Sequence, residues 1–249
     1  MTVPVTLVAP GKLTLSLRIT GVRPDGYHLL DAEMASLDLA DELTFGPGDG
    51  LEVVGSAAGL AVPDGDDNLV RRALAALGRR AQVRLVKRIP AGAGLGGGSA
   101  DAAAVLRWAG SDDLDLAASL GADVAFCLVG GRARVQGIGE VVTPLPAVEE
   151  PYTLMVPPVG VPTPEVYRAW DRLGGPDGEH GNDLEPAALA VAPELAPWRD
   201  RLGEATGQVP RLAGSGSTWF VAGAFPGDGR IVVRTLTPTS CPGAGNGSA

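Results

Sequence analysis

The chain has 249 residues, a formal net charge of −9, 45% hydrophobic residues and 4% aromatic ones, enough for one large domain or two modest ones with a proper core. The acidic balance argues against nucleic acid or an anionic membrane surface as partner, since both require a basic face. Cys127 and Cys241 are too few for a disulfide framework or a zinc site, and His28 and His180 alone exclude a histidine-rich metal site.

No apolar run approaches the length that spans a bilayer. The amino terminus has no basic region followed by a hydrophobic one, so the cytoplasm is the expected compartment. From Lys12 to Ile19 the residues alternate, with Leu13, Leu15, Leu17 and Ile19 on one face and Lys12, Thr14, Ser16 and Arg18 on the other. That is the pattern of a half-buried strand. Of the 20 basic residues only Lys12 and Lys87 are lysines. In a chain that otherwise uses arginine, a lysine marks a place for a compact ammonium. Lys87, beside Arg88 in a strand-like run, reads as solvated, which leaves Lys12 as the candidate.

Arg23-Pro24-Asp25-Gly26 is a turn by composition, and the run from Leu37 to Leu43 leads towards a second strand pair. Asn68 to Leu77 reads as a helix with Leu69, Ala73, Leu74 and Leu77 on one face. Val83 to Ile89 is a strand feeding Pro90-Ala91-Gly92-Ala93-Gly94-Leu95-Gly96-Gly97-Gly98-Ser99-Ala100-Asp101. Five glycines lie between Gly92 and Ala100, directly before a helix-forming run that ends near Gly110. Glycine permits positive φ and close approach of the backbone to a ligand. A helix opening where such a loop ends directs free N–H groups and its positive dipole end at a phosphate. A flexible linker is the alternative, but it would not carry Ser99 and Asp101 where a cap and a first turn want them. A Walker loop is ruled out by the absence of a lysine after Gly98. A dinucleotide fingerprint is disfavoured because Asp112 and Asp113 come too early.

A short helix, Leu114 to Leu120, stops at Gly121, and a hairpin-like stretch covers Arg132 to Val142. Pro144 to Pro151, rich in proline and acidic residues, is the expected boundary. It divides an amino-terminal unit (1–148) from a carboxy-terminal one (149–237), followed by a disordered Pro/Gly/Ser tail (238–249). Beyond it lie a strand from Tyr152, a helix opening at Thr163-Pro164-Glu165, a helix from Glu194 to Leu202, and the turn Gly214-Ser215-Gly216-Ser217 before a strand. Helices and strands interleave without regular βα alternation, so the fold class is α+β with mixed sheets.

Three motifs now stand in one order: Ala9-Pro10-Gly11-Lys12-Leu13, Pro90 to Ala100, and Ala213-Gly214-Ser215-Gly216-Ser217. The chain resembles the small-molecule kinases of the galactokinase, homoserine kinase, mevalonate kinase and phosphomevalonate kinase (GHMP) superfamily. Ile19-Thr20-Gly21-Val22-Arg23-Pro24-Asp25-Gly26-Tyr27-His28, the Gly-Gly-Gly-Ser form of the loop, Gly121-Ala122-Asp123-Val124 and Asn182-Asp183-Leu184-Glu185 are similar to the 4-diphosphocytidyl-2-C-methylerythritol kinase family within it. The resemblance runs from about Val8 to about Pro238. It implies a two-domain fold: an amino-terminal mixed sheet with helices, of the ribosomal protein S5 domain 2 type, and a carboxy-terminal α/β sandwich.

It also implies a phosphotransferase that uses ATP with Mg²⁺ on the hydroxyl of a diphosphocytidyl polyol, a monomer or homodimer acting on a small molecule. Lys12 and Asp123 would be its catalytic pair. Residues Pro90, Ala91, Gly92, Ala93, Gly94, Leu95, Gly96, Gly97, Gly98, Ser99 and Ala100 would bind the nucleotide. Thr14, Tyr27, His28, Gly214 and Ser215 would bind substrate, with Tyr27 and His28 on the cytosine. Ser99 would cap its helix or touch the metal, and Tyr167 would supply a second face to the base or belong to the core. On residue type alone, Asp123 is a turn aspartate and Lys12 an exposed strand lysine. Two departures stand out: Thr14 replaces the family's asparagine, and Ala125 follows Val124 where the family has proline. The alternatives are another GHMP-type kinase acting on a sugar, homoserine or mevalonate, or a non-catalytic nucleotide-binding relative.

Overall fold

The computed structural model describes residues 4–55, 64–146 and 148–237; the expected disordered tail, 238–249, lies outside the described residues. Strands β1 (Val5–Val22) and β2 (His28–Gly46) form a long antiparallel ribbon joined at the expected turn, where Gly26 takes φ 87° and its N–H donates to Arg23 O at 2.9 Å. β2 is long enough to serve several neighbours. Its far end pairs with β4 (Gln82–Val86) and its near end with β5 (Arg132–Gly137). With β3 (Gly50–Val54) parallel to β4, and β6 (Val141–Leu145) closing a hairpin with β5, the first sheet has the order β3-β4-β2-β5-β6, with β1 also on β2.

Helices α1 (Leu69–Ala76), α2 (Gly97–Trp108), α3 (Leu114–Leu120) and α4 (Val124–Val129) belong to the same half of the chain. Asn68 caps α1 by accepting from Val70 N at 2.8 Å, a local signal that the sequence carries plainly. α2 is enclosed: every residue from Ala100 to Leu106 is buried. Apart from Asp101 these residues are apolar, as befits a helix inside a core, and the run of alanines lets β1 and neighbouring helices approach closely.

The second sheet has the order β10-β7-β9-β8 and is antiparallel throughout, built from β7 (Pro151–Met155), β8 (Arg211–Leu212), β9 (Trp219–Ala222) and β10 (Arg230–Arg234). Helices α5 (Thr163–Arg172), α6 (Glu185–Val191) and α7 (Ala196–Thr206) accompany it. Leu13, Leu37, Ile89 and Leu95 from the first half pack with Leu154, Phe220 and Val233 from the second into one buried cluster, so the two sheets meet across apolar surface.

The alternation of β1 differs from expectation. Register shifts fall between Pro10 and Lys12, Thr14 and Ser16, and Ile19 and Gly21. A bulge inserts one extra residue and turns the following side chains to the other face. Leu13 and Leu15 therefore pack towards the second sheet, whereas Leu17 and Ile19 join the helical core. Lys12, Leu13 and Thr14 are consecutive and all buried, because β1 is covered on both faces where the site lies.

Candidate active site

The site is built around Lys12. Its backbone N–H donates to Leu95 O at 2.9 Å, which ties β1 to the glycine loop. Its ammonium donates to Thr14 Oγ1 at 3.0 Å and stands 3.5 Å from Asp123 Oδ2. The lysine side chain is 6% exposed and the aspartate 30%. Asp123 begins α4, but its side chain makes no capping hydrogen bond. A carboxylate at a helix start that ignores the free N–H groups and faces an ammonium is not a simple turn residue.

The glycine loop adopts the conformation its composition permits. Gly92, Gly94 and Gly96 have φ of 69°, 76° and 69°. A Cβ on Gly94 would lie 2.5 Å from Gly216 O, so glycine is required for contact with the late turn as well as for its backbone angle. That turn is held in place: Thr218 donates through N and Oγ1 to Ala93 O, and Asn182 Nδ2 reaches Leu212 O at 2.8 Å and Gly214 O at 2.7 Å. Ser215 Oγ is 2.9 Å from Thr163 Oγ1, linking the turn to the start of α5. Ser99 is not the helix cap. Gly96 holds that position with left-handed geometry and no side-chain bond, which places Gly97, Gly98, Ser99 and Ala100 in the first turn of α2.

Two cavities flank the loop. The larger, about 620 Å³, is bordered by Lys12, Thr14, Asp123, Tyr27, His28 and the Gly214-Ser215 turn. The smaller, about 210 Å³, is bordered by Pro90 to Gly98 together with Asn68, Leu69, Lys87 and Asp101. Gly94 and Gly96 border both, so the loop is the wall between them. At the far end of the larger cavity Tyr27 is 59% exposed beside His28, and α5 contributes Tyr167, Arg168 and Asp171. Sequence reasoning missed Arg168 and Asp171; the i, i+4 spacing from Tyr167 could have found Asp171, and no pattern in the sequence marks Arg168.

Lys87 corrects the expectation of a solvated side chain. It is buried between Asp41 of β2 and Asp101 of α2, with its ammonium 2.7 Å from Asp101 Oδ2 and bonded to Asp41 Oδ2. Asp41 Oδ1 also accepts from Arg88 N at 2.6 Å and Ile89 N at 2.8 Å, fixing the chain where it enters the loop. Two carboxylates share one ammonium in a buried site. Burial pushes the Asp101 carboxyl up to about 7, against the pull of Lys87 and with the help of Asp41. A buried charge that must be paired is placed by tertiary structure, and its neighbour in sequence gives no hint of it.

Residues 68–131, which carry the glycine loop and Asp123, match the family model described as the GHMP kinases N terminal domain, and the fold with its loop and lysine–aspartate pair defines a GHMP-type kinase. A solved homoserine kinase from Cytophaga hutchinsonii shares that fold with a TM-score of 0.61 at 19% identity, over 95% of this chain and 96% of the other. Similarity in sequence is narrower. The 4-diphosphocytidyl-2-C-methyl-D-erythritol kinase of Paracoccus denitrificans is 42% identical over 233 residues, covering 85% of this chain and 84% of the relative. Its counterpart in Dinoroseobacter shibae is 38% identical over 261 residues, covering 94% and 91%. A crystal structure of 4-(cytidine 5'-diphospho)-2C-methyl-D-erythritol kinase superposes with a TM-score of 0.73 at 34% identity, over 93% of this chain and 99% of that one. The chain belongs to the 4-diphosphocytidyl-2-C-methyl-D-erythritol kinase family.

Proposed function

We propose that this protein transfers the γ-phosphoryl group of ATP to a hydroxyl of 4-(cytidine 5'-diphospho)-2-C-methyl-D-erythritol, a step of the non-mevalonate isoprenoid pathway. The observation that carries the assignment is the position of the Lys12–Asp123 pair. It stands in the larger cavity beside Gly94 and Gly96, the residues that also border the smaller one. The nucleotide occupies the smaller cavity and the polyol the larger, so the phosphoryl group crosses at the loop.

Phosphoryl transfer depends mainly on positioning and on neutralising charge. Asp123 accepts the proton of the attacking hydroxyl as the new O–P bond forms and the bond to the β,γ-bridging oxygen breaks. Lys12 faces that carboxylate and offsets charge on the transferring oxygens. The loop and the first turn of α2 present backbone N–H groups to the phosphates. At Gly94 and Gly96 a Cβ would collide with the late turn and with Lys12, so these glycines let the loop backbone lie against both. Among the described residues no cluster of acidic, histidine or cysteine side chains could hold a metal by itself. Mg²⁺ would be held chiefly by the nucleotide's own oxygens, with Ser99 the hydroxyl assigned to it, and would neutralise phosphate charge.

Substrate selection falls to the other end of the larger cavity. Tyr27 and Tyr167 offer aromatic faces to the cytosine, His28 a hydrogen bond, and Arg168 a cation to the diphosphate. Gly214 and Ser215 shape the cleft, and Thr14 provides a hydroxyl where the family has an amide. We also retain the division after residue 148, supported by each sheet drawing its strands from one side of it, and the cytoplasm as compartment. The test is ADP formation with the diphosphocytidyl polyol, run beside mevalonate, homoserine and galactose. Turnover confined to the first is expected; comparable kcat/KM on any of the others overturns the assignment.

A further inference from the structure

His28 opens β2, and its side chain is only 9% exposed although it borders the larger cavity. Three residues of α5 surround it. Tyr167, Trp170 and Asp171 stand at i, i+3 and i+4, which places them on one face of the helix. The imidazole centroid is 4.8 Å from the Tyr167 ring at 38°, and 5.5 Å from the Trp170 ring at 83°. Its Nε2 is 2.8 Å from Asp171 Oδ1, and no other described residue hydrogen-bonds the ring. An ionised carboxylate can only accept, so Nε2 carries a hydrogen. In the neutral imidazole Nδ1 is then left as a lone-pair acceptor.

Resting on the cytosine pocket proposed above, we propose that Asp171 is a positioning residue that sets the preference for cytosine over uracil by holding His28 in its Nε2–H tautomer. An acceptor at Nδ1 takes a hydrogen from the exocyclic amine of cytosine. Uracil carries a carbonyl oxygen at that position, so two lone pairs would oppose each other and a polar group would go unpaired. The two aromatic rings on α5 hold the imidazole plane, and Asp171 decides which nitrogen keeps the proton. Without the carboxylate both tautomers are open to the ring, and the Nδ1–H form suits uracil. Asp171 is 49% exposed, so its removal leaves no buried charge behind.

The test pairs a structural readout with a kinetic one on the full chain. The ¹⁵N shifts of the imidazoles report the tautomer in the free protein, and only His28 and His180 contribute signals. The kinetic readout is kcat/KM for the cytidine substrate and for its uridine counterpart. The natural protein should show the Nε2–H signature and favour cytidine. In Asp171→Leu the His28 signature should become mixed. The preference should fall roughly tenfold or more, the scale of a hydrogen bond to a charged or buried group, and should do so mainly through KM. Asp171→Asn should lie between, because an amide oxygen can still accept. An unchanged His28 signature, or unchanged selectivity, in a folded Asp171→Leu protein overturns the inference. If the natural protein does not distinguish the bases, the cytosine-pocket reading falls as well.

Discussion

Gly96 leaves no space for a side chain because Lys12 occupies it: a Cβ on Gly96 would lie 2.7 Å from Lys12 Cγ, at a residue whose φ is +69°. The apex of the glycine loop and Lys12 are thus one packing unit, joined also through Leu95 O and Lys12 N.

Gly96→Ala should therefore act on catalysis and stability together. A left-handed alanine costs about 1–2 kcal/mol, and the displaced lysine loses its distance to Asp123. We expect a lower thermal midpoint, weaker ATP binding and a kcat reduced by more than about tenfold, the change that accompanies ~1.4 kcal/mol. Gly98→Ala contrasts with it. Its Cβ would meet only Leu69 Cδ1, at an ordinary 3.4 Å, at a helical position. There alanine should hold or raise the thermal midpoint, by up to about 1 kcal/mol of stability. Equal destabilisation by the two changes would refute the packing argument.

Asp123→Asn keeps the shape of the side chain and removes its capacity to take a proton. It should fold, bind both substrates and lose about 10²–10⁴-fold in kcat, the range of general-base catalysis. Lys12→Arg preserves charge but replaces a compact ammonium with a planar fork, in a site only 6% exposed, and should also be strongly impaired. If the pair acts as a unit, the double variant costs much less than the product of the single losses. Near-normal turnover in Asp123→Asn would return that residue to the status of a turn aspartate.

Thr14 presents a narrower question. Its hydroxyl accepts from the Lys12 ammonium at 3.0 Å inside the site. Thr14→Val keeps the volume and removes that acceptor. Steady-state kinetics should show kcat/KM reduced by about 10-fold, the scale of a hydrogen bond to a charged group. An unaltered value would mean that Asp123 alone orients the lysine.

Stability should depend on pH through the buried triad. Burial raises the Asp101 carboxyl from 3.8 to about 7, so the folded state binds a proton there over a range in which the unfolded chain has lost it. The contribution is fully present below about pH 4 and is lost as pH rises through about 7. Glu185, also pushed up by burial, has the same sign. Lys87 opposes its own burial through Asp101 and Asp41 and ends above its usual value, so its loss comes only at strongly alkaline pH. The urea midpoint of the natural protein should thus fall between pH 5 and 8, and Asp101→Asn should flatten that slope. A slope identical in the variant would remove Asp101 as its source.

Much of the site was legible because its signals are local. Glycines that need positive φ, an asparagine before a helix and a Pro-Asp-Gly turn all act through the backbone within a few residues, so Gly92 to Gly96, Asn68 and Gly26 behave as their neighbours in sequence demand. The family resemblance, carried by those motifs and by Gly121-Ala122-Asp123-Val124, then implied Lys12 and Asp123, which residue type alone would have assigned to the surface.

Other features depended on contacts between distant parts of the chain. Lys87 became a buried, doubly paired cation because β2 and α2 bring Asp41 and Asp101 to it. The bulge after Thr14 sent Leu17 and Ile19 to a different core from Leu13 and Leu15, and Gly96 displaced Ser99 as the cap of α2. Asp171 reached His28 across 143 positions of sequence. The sequence by itself determined which backbone segments could turn, cap and cradle a phosphate, since those preferences reside in single residues. The tertiary structure alone decided which charges were buried and which side chains met, because desolvation and pairing are properties of the assembled neighbourhood.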